Sequence, residues 1–175
     1  MLKNARKLNP QLKYRKGDMR TVRLKEQFDA IMLHDSVNYM LTRSDPKKVF
    51  CTAYVHLKPG GVLWTRIEEY NRIQQNRLKF STRKEKISKL CLLSTTMTPT
   101  RGNLSGYIYL SYRKNKRLEI CTDRHIRGIF KLATWFLVIR KAGFKVKQQR
   151  FEHSTIPKIK DMPELICLKP KCYTG

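Results

Sequence analysis

The passage from residue 28 to residue 67 constrains this chain more than any other. Phe28-Asp29-Ala30-Ile31-Met32-Leu33 is a nearly continuous apolar run, the pattern of a strand covered on both faces in a parallel sheet. Ser44-Asp45-Pro46 then offers an N-cap with proline at the first helical position. Behind it Val49, Phe50, Ala53, Tyr54 and Leu57 recur at helical spacing. Pro59-Gly60-Gly61 ends that helix, and 62–67 resumes as a strand. Strand, helix and strand in this order form a βαβ unit, which commits the chain to an α/β fold.

The flanking segments extend that unit. Leu2, Ala5 and Leu8 share one helical stripe, which Asn9-Pro10 closes. Residues 12–15 read as a short strand, Gly17-Asp18 as a turn and 37–41 as a short helix. The polar stretch 68–90 predicts one or two short helices or a mobile segment. From Ser94 the pattern turns to strands over 94–98, 106–112 and 118–122, with a hairpin turn at Lys114-Asn115-Lys116. These strands read as an antiparallel addition to the sheet. Residues 129–142 return to helix, with Ile129, Leu132, Ala133, Phe136 and Ile139 apolar and Gly143 as the stop. Strands over 145–151 and 165–168 complete a single domain. It divides into a core over 1–67, an inserted region over 68–128 and a return to the core over 129–175.

Composition narrows the function classes. With 41% apolar residues and aromatics throughout, the chain has enough apolar surface to bury a core, which argues against disorder. No apolar run approaches the roughly twenty residues of a membrane helix, and the charged start lacks the apolar stretch of a secretory signal. A soluble, cytoplasmic protein is the expectation. The five cysteines have no paired metal-ligand spacing, so reduced thiols and no metal site are expected. The net charge of +25 is spread over 3–16, 66–89, 113–127 and 140–150. It suits either a solvated basic surface or a face for RNA or another polyanion.

Several residues could carry chemistry. Asp18 stands in a turn after a strand, at the carboxyl edge where open α/β sheets bind ligands. It could accept from an exocyclic amine or simply make an Asx turn. His34-Asp35 follows the apolar strand, where a His could be a general base or a pocket wall and an Asp could cap the next helix. Asp123-Arg124-His125 is placed in a loop before the last helix, and His125 is a proton acceptor if it faces the cleft. His56 and His153 have no partner in sequence.

Together these residues resemble a known family. Residues 1–10, then Gly17-Asp18-Met19-Arg20, the run from Phe28 to Met40 and Leu57-Lys58-Pro59-Gly60-Gly61-Val62 are similar to class I S-adenosylmethionine-dependent methyltransferases. Thr122-Asp123-Arg124-His125, Gly128-Ile129-Phe130, Ala133-Thr134-Trp135 and Lys141-Ala142-Gly143-Phe144 resemble a subgroup of small-molecule N-methyltransferases. That subgroup includes enzymes acting on amino sugars, and it adds antiparallel strands over the acceptor site. The resemblance spans nearly the whole chain and is weakest over 68–105.

The resemblance implies a Rossmann-like methyltransferase sheet, S-adenosylmethionine as cofactor and a small-molecule amine or hydroxyl as acceptor. It implies that Asp18 binds the adenine amine and Met19 contacts the adenine through its backbone. His34 and Asp35 would line the methionine side of the cofactor, with His34 also near the chemistry. Tyr39 would be an aromatic wall of the acceptor site and His125 the acceptor-side base. In the family a first strand, its glycine-rich loop and the acidic residue ending the second strand precede the position of Met1. The expectation is therefore an N-terminally truncated sheet with an exposed apolar face and edge, binding the cofactor weakly. From charge alone, a non-catalytic basic module that binds RNA is the alternative.

Overall fold

The structure, a computed structural model, describes residues 2–69, 79–83, 91–100, 103–114, 117–150 and 163–171. The βαβ unit is present as expected. Strand β1 (Phe28–Leu33) lies parallel to β2 (Leu57–Arg66), and helix α2 (Ser44–His56) connects them; α1 (Leu2–Leu8) precedes the unit. Helix and second strand meet without a break. Pro59-Gly60-Gly61 lies inside β2 as a bulge, because the register passes from Phe28↔Leu57 directly to Ala30↔Val62. Gly60 takes φ 81°, a left-handed conformation that glycine adopts freely. Its N–H donates to Lys169 O at 3.0 Å.

Two later strands close the sheet. β7 (Lys145–Arg150) and β8 (Pro163–Leu168) follow helix α3 (Leu132–Lys141), and the strand order is β1-β2-β8-β7. Only β8 runs against the others, pairing antiparallel to both neighbours. Helix α3 starts at Leu132 rather than 129, since Lys131 is extended and Phe130 bridges to Glu69. Gly143, with φ 102°, stops it as expected.

Helices α2 and α3 pack on the same side of the sheet. Val49, Phe50, Ala53, Trp135, Val138 and Ile139 join Leu63, Leu165 and Cys167 in one buried cluster. Phe50 and Phe130 each meet the Trp135 ring edge-on, with centroids 6.4 and 5.4 Å away, a geometry favoured by the ring quadrupoles.

The opposite side departs from the expectation of a doubly covered strand. Asp29, Ala30 and Met32 are exposed, Met32 to 71%. The helices cover only the side presented by Ile31 and Leu33, and β1 ends the sheet among the described residues. Residues 12–15, expected as a strand, are irregular. A strand persists through its ladder, and this segment pairs with no strand among the described residues.

The β-rich segment is a second sheet rather than an addition to the first. β3 (Lys79–Arg83), β4 (Cys91–Thr100), β5 (Asn103–Lys114) and β6 (Arg117–Gly128) form an antiparallel meander in the order β3-β4-β5-β6. The strands run past the expected ends at 98, 112 and 122, so each ladder is self-sufficient. β3 replaces a helix expected within 68–90; the remainder of that expectation over 70–78 and 84–90 lies outside the described residues. The tip of the hairpin turn, Asn115-Lys116, does as well.

At the entry to α2 the cap differs from the one expected at Ser44. Thr42 Oγ1 accepts from Asp45 N at 3.3 Å, while Asp45 Oδ2 accepts from Thr42 N at 3.4 Å and Oγ1 at 2.7 Å. This is a reciprocal capping box three residues wide, with Pro46 one position beyond it. Thr42→Ala should therefore lower stability by about 1 kcal/mol, whereas Ser44→Ala should change it little. Urea unfolding of both variants checks the assignment.

Candidate functional site

The carboxyl end of β1 leads through His34 and Asp35 into a short 3-10 turn, Ser36–Tyr39, in place of the helix expected over 37–41. Val37 is fully buried and Asn38 is 1% exposed. Asn38 Oδ1 accepts from Glu68 N at 2.9 Å. With both residues anchored inward, Tyr39 is displayed outward, 44% exposed.

Strand β6 crosses this turn. His125 and its neighbours are strand residues, not the loop expected from sequence. Asp123, His125 and Arg127 therefore fall on one face at the two-residue period. Gly128 permits the close approach, because a Cβ there would lie 1.9 Å from Met40 O. Arg127 pairs with the Glu68 carboxylate, and Trp135 Nε1 donates to Glu68 O at 3.2 Å. Glu68 thus links the turn, β6 and α3.

The consequence is a chain of three side chains. Tyr39 Oη lies 2.6 Å from His125 Nδ1, and His125 Nε2 lies 3.1 Å from Asp123 Oδ2. An ionised carboxylate only accepts, so in neutral His125 the proton sits on Nε2 and Nδ1 accepts from the Tyr39 hydroxyl. The order Asp123–His125–Tyr39 can draw a proton from a group placed at the tyrosine hydroxyl. Tyr39 thus stands at the outer end of this chain of side chains, with His125 behind it.

The other expected residues lie elsewhere. His34 Nδ1 is 3.1 Å from Asp35 Oδ2, and its ring centroid is 5.5 Å from that of Trp64. Trp64 Nε1 and Arg66 Nη2 both donate to Glu164, at 3.3 and 3.0 Å. Two buried atoms at this strand end, Asp35 Oδ1 and Asn38 Nδ2, lack a hydrogen-bond partner among the described residues. Such atoms are costly when unsatisfied, and a bound polar ligand would satisfy them.

Asp18 does make the Asx turn. Its Oδ1 accepts from Arg20 N at 2.9 Å, and Arg20 Nη2 reaches Oδ2 at 2.7 Å. Arg20 also reaches Asp45 Oδ1 at 3.3 Å, tying this turn to the first turn of α2. Met19 packs against the hydrophobic core. Asp123, Asn38 and Glu68 are the residues that sequence reasoning did not assign. Only Asp123 carried a signal, its two-residue spacing from His125, which the loop reading concealed.

With this geometry in view, the comparisons with known proteins become informative. Residues 1–65 match the family described as methyltransferase domain. No curated protein matches the chain. Among solved structures, DesVI of Streptomyces venezuelae is similar at 19% identity and TM-score 0.84, over 97% of this chain and 70% of that one. CalS10 of Micromonospora echinaspora, an amino pentose methyltransferase solved with S-adenosylmethionine, is similar at 18% identity and TM-score 0.81, over 96% and 69%. The sugar N-methyltransferase KedS8 of Streptoalloteichus is similar at 12% identity and TM-score 0.73, over 89% and 61%. The likeness shows that the chain shares the fold of these solved structures.

The Arg20 hydrogen bonds hold the Asp18 carboxyl at about 2, below its ordinary value of 3.8. A carboxylate depressed in the native state adds stability that is complete above its unfolded value and is lost as pH falls through its folded value. Between about pH 4 and pH 2, Asp18→Asn should therefore lose less thermal stability than the parent. Melting temperatures across this window test the contact.

Proposed function

We propose that this chain serves S-adenosylmethionine-dependent methyl transfer to a small-molecule acceptor, an amine or a hydroxyl. The observation that carries the reading is the Asp123–His125–Tyr39 chain, placed at the carboxyl end of β1, the edge where open α/β sheets bind ligands. The matched segment over residues 1–65 and the sugar-methylating neighbours support the same class of chemistry.

The unsatisfied acceptor of Asp35 and donor of Asn38 suit a ligand that carries an ammonium and a carboxylate, as the methionine part of S-adenosylmethionine does. Asp35 and His34 would face its methionine side and the Asp18–Met19 turn its adenine. When bound, the cofactor supplies an electrophilic methyl group. The acceptor nitrogen or oxygen would lose its proton to Tyr39 Oη as the tyrosine proton moves to His125 Nδ1. Asp123 then stabilises the imidazolium. Beyond this relay, the protein contributes alignment of the acceptor with the methyl group.

Asp18 already accepts from Arg20 through both oxygens, so an adenine amine must share it. We expect the 175-residue chain to bind S-adenosylmethionine weakly. Micromolar affinity by calorimetric titration would overturn that expectation. The relay is tested separately, at saturating cofactor with an amino-sugar acceptor. Tyr39→Phe and His125→Ala should each lower kcat by about 100-fold or more. Asp123→Asn should lower kcat less and shift its pH profile while leaving KM unchanged. Unaltered rates in all three variants would remove the relay from the mechanism.

A further inference from the structure

Helix α2 carries a polar stripe that the chemistry described so far leaves unused. Asp45, Thr52 and His56 share one side of the helix, and all three are buried. They face the irregular segment between the Asp18 turn and β1. That segment makes no ladder among the described residues, so its backbone depends on other groups for hydrogen bonds. Asp45 Oδ1 accepts from Arg20 Nη1 at 3.3 Å. Thr52 Oγ1 donates to Arg20 O at 2.8 Å and accepts from Arg23 Nη1 at 3.0 Å. Leu24 N donates to His56 Nε2 at 2.7 Å, and Gln27 Nε2 donates to Val55 O at 3.3 Å.

The groups on the stripe have fixed duties. A backbone N–H only donates, so Nε2 of His56 accepts from Leu24 and the proton of the neutral ring sits on Nδ1. That proton reaches Thr52 O, 2.7 Å away. The single hydroxyl proton of Thr52 goes to Arg20 O, which leaves the oxygen free to accept from Arg23. Deleting either side chain's polar atom strands a backbone group of the segment, which is costly where water is excluded. The helix itself is held by Val49, Phe50 and Ala53 in the core. The stripe is therefore a rigid edge against which the segment is set.

We propose that Thr52 and His56 are positioning residues for the cofactor. They fix the backbone at Arg20 and Leu24, and so preset the turn whose Asp18 and Met19 face the adenine in the reading above, on which this inference rests. The turn is tight, since Thr21 N and Val22 N both donate to Asp18 O, at 3.0 and 2.8 Å. An anchor at Arg20 O therefore sets the direction of Met19 as well. A backbone ordered before binding removes the entropy loss of ordering it on binding. Both residues act through the segment they hold.

Free adenosine is the probe, followed through the amide proton–nitrogen spectrum of the full chain. It should move the Met19 and Arg20 signals of the parent. Thr52→Val keeps the shape and deletes the hydroxyl; it and His56→Leu should each raise the adenosine dissociation constant about tenfold. Thr52→Ser and His56→Gln, whose hydroxyl and amide oxygen replace the lost groups, should bind as the parent does. In methyl transfer, Thr52→Val and His56→Leu should raise KM for S-adenosylmethionine and leave kcat unchanged, a split that loss of folded protein does not give. Without ligand, hydrogen exchange at the Leu24 amide should quicken about tenfold or more in His56→Leu. Unchanged exchange, or adenosine affinity indifferent to Thr52→Val and His56→Leu, would overturn the proposal and leave the methyl-transfer reading intact. Losses that Thr52→Ser and His56→Gln fail to restore would do the same. Adenosine that leaves the Met19 signal unmoved would take the adenine away from this turn, and the positioning role with it.

Discussion

The arrangement depends most on what Glu68 holds together. Its backbone N–H donates to Asn38 Oδ1, its carbonyl accepts from Trp135, and its carboxylate pairs with Arg127. These three contacts fasten the 3-10 turn after β1, helix α3 and strand β6 to a single residue. The ion pair is largely shielded, with side-chain exposures of 20% and 13%. Removing one partner of such a pair leaves an uncompensated buried charge, so loss of either residue alone is costly. The Tyr39–His125 contact follows from it, since the tyrosine belongs to the turn and the histidine to the strand.

Two sheets with different duties result. The first is built as a core, with two helices on one side and a buried cluster running from Val37 to Cys167. The second is an antiparallel meander that needs little from the first except the anchorage of its last strand. Gly128 marks the crossing, where any side chain would collide with Met40 O. Side chains carried by two rigid elements keep a fixed mutual geometry better than side chains on loops, and His125 is held on a strand rather than on the loop expected from sequence.

The basic character of the chain does not disturb this core. Asp18, Asp45, Glu68 and Glu164 each accept from an arginine, so the few acids stand where structure needs them. Among the described residues the remaining cations lie mostly on exposed positions. Burial pushes the Cys167 thiol up to about 12, so this core cysteine behaves as a small apolar side chain rather than a nucleophile.

Local periodicity determined much of this protein by itself. The run at 28–33, the helical spacing from Val49 to Leu57 and the glycine at 143 fixed a βαβ core and the end of α3, because each pattern reports burial of nearby residues. The motif order also pointed to the methyltransferase fold. Tertiary structure decided the rest. Whether 12–15 becomes a strand depends on a neighbouring ladder, and whether both sides of β1 are covered depends on where the helices pack. The capping of α2 by Thr42 turned on which hydroxyl could meet Asp45. Asp123, His125 and Tyr39 come into contact only because Glu68 brings together elements far apart in sequence, and no local pattern encodes a contact across 86 residues.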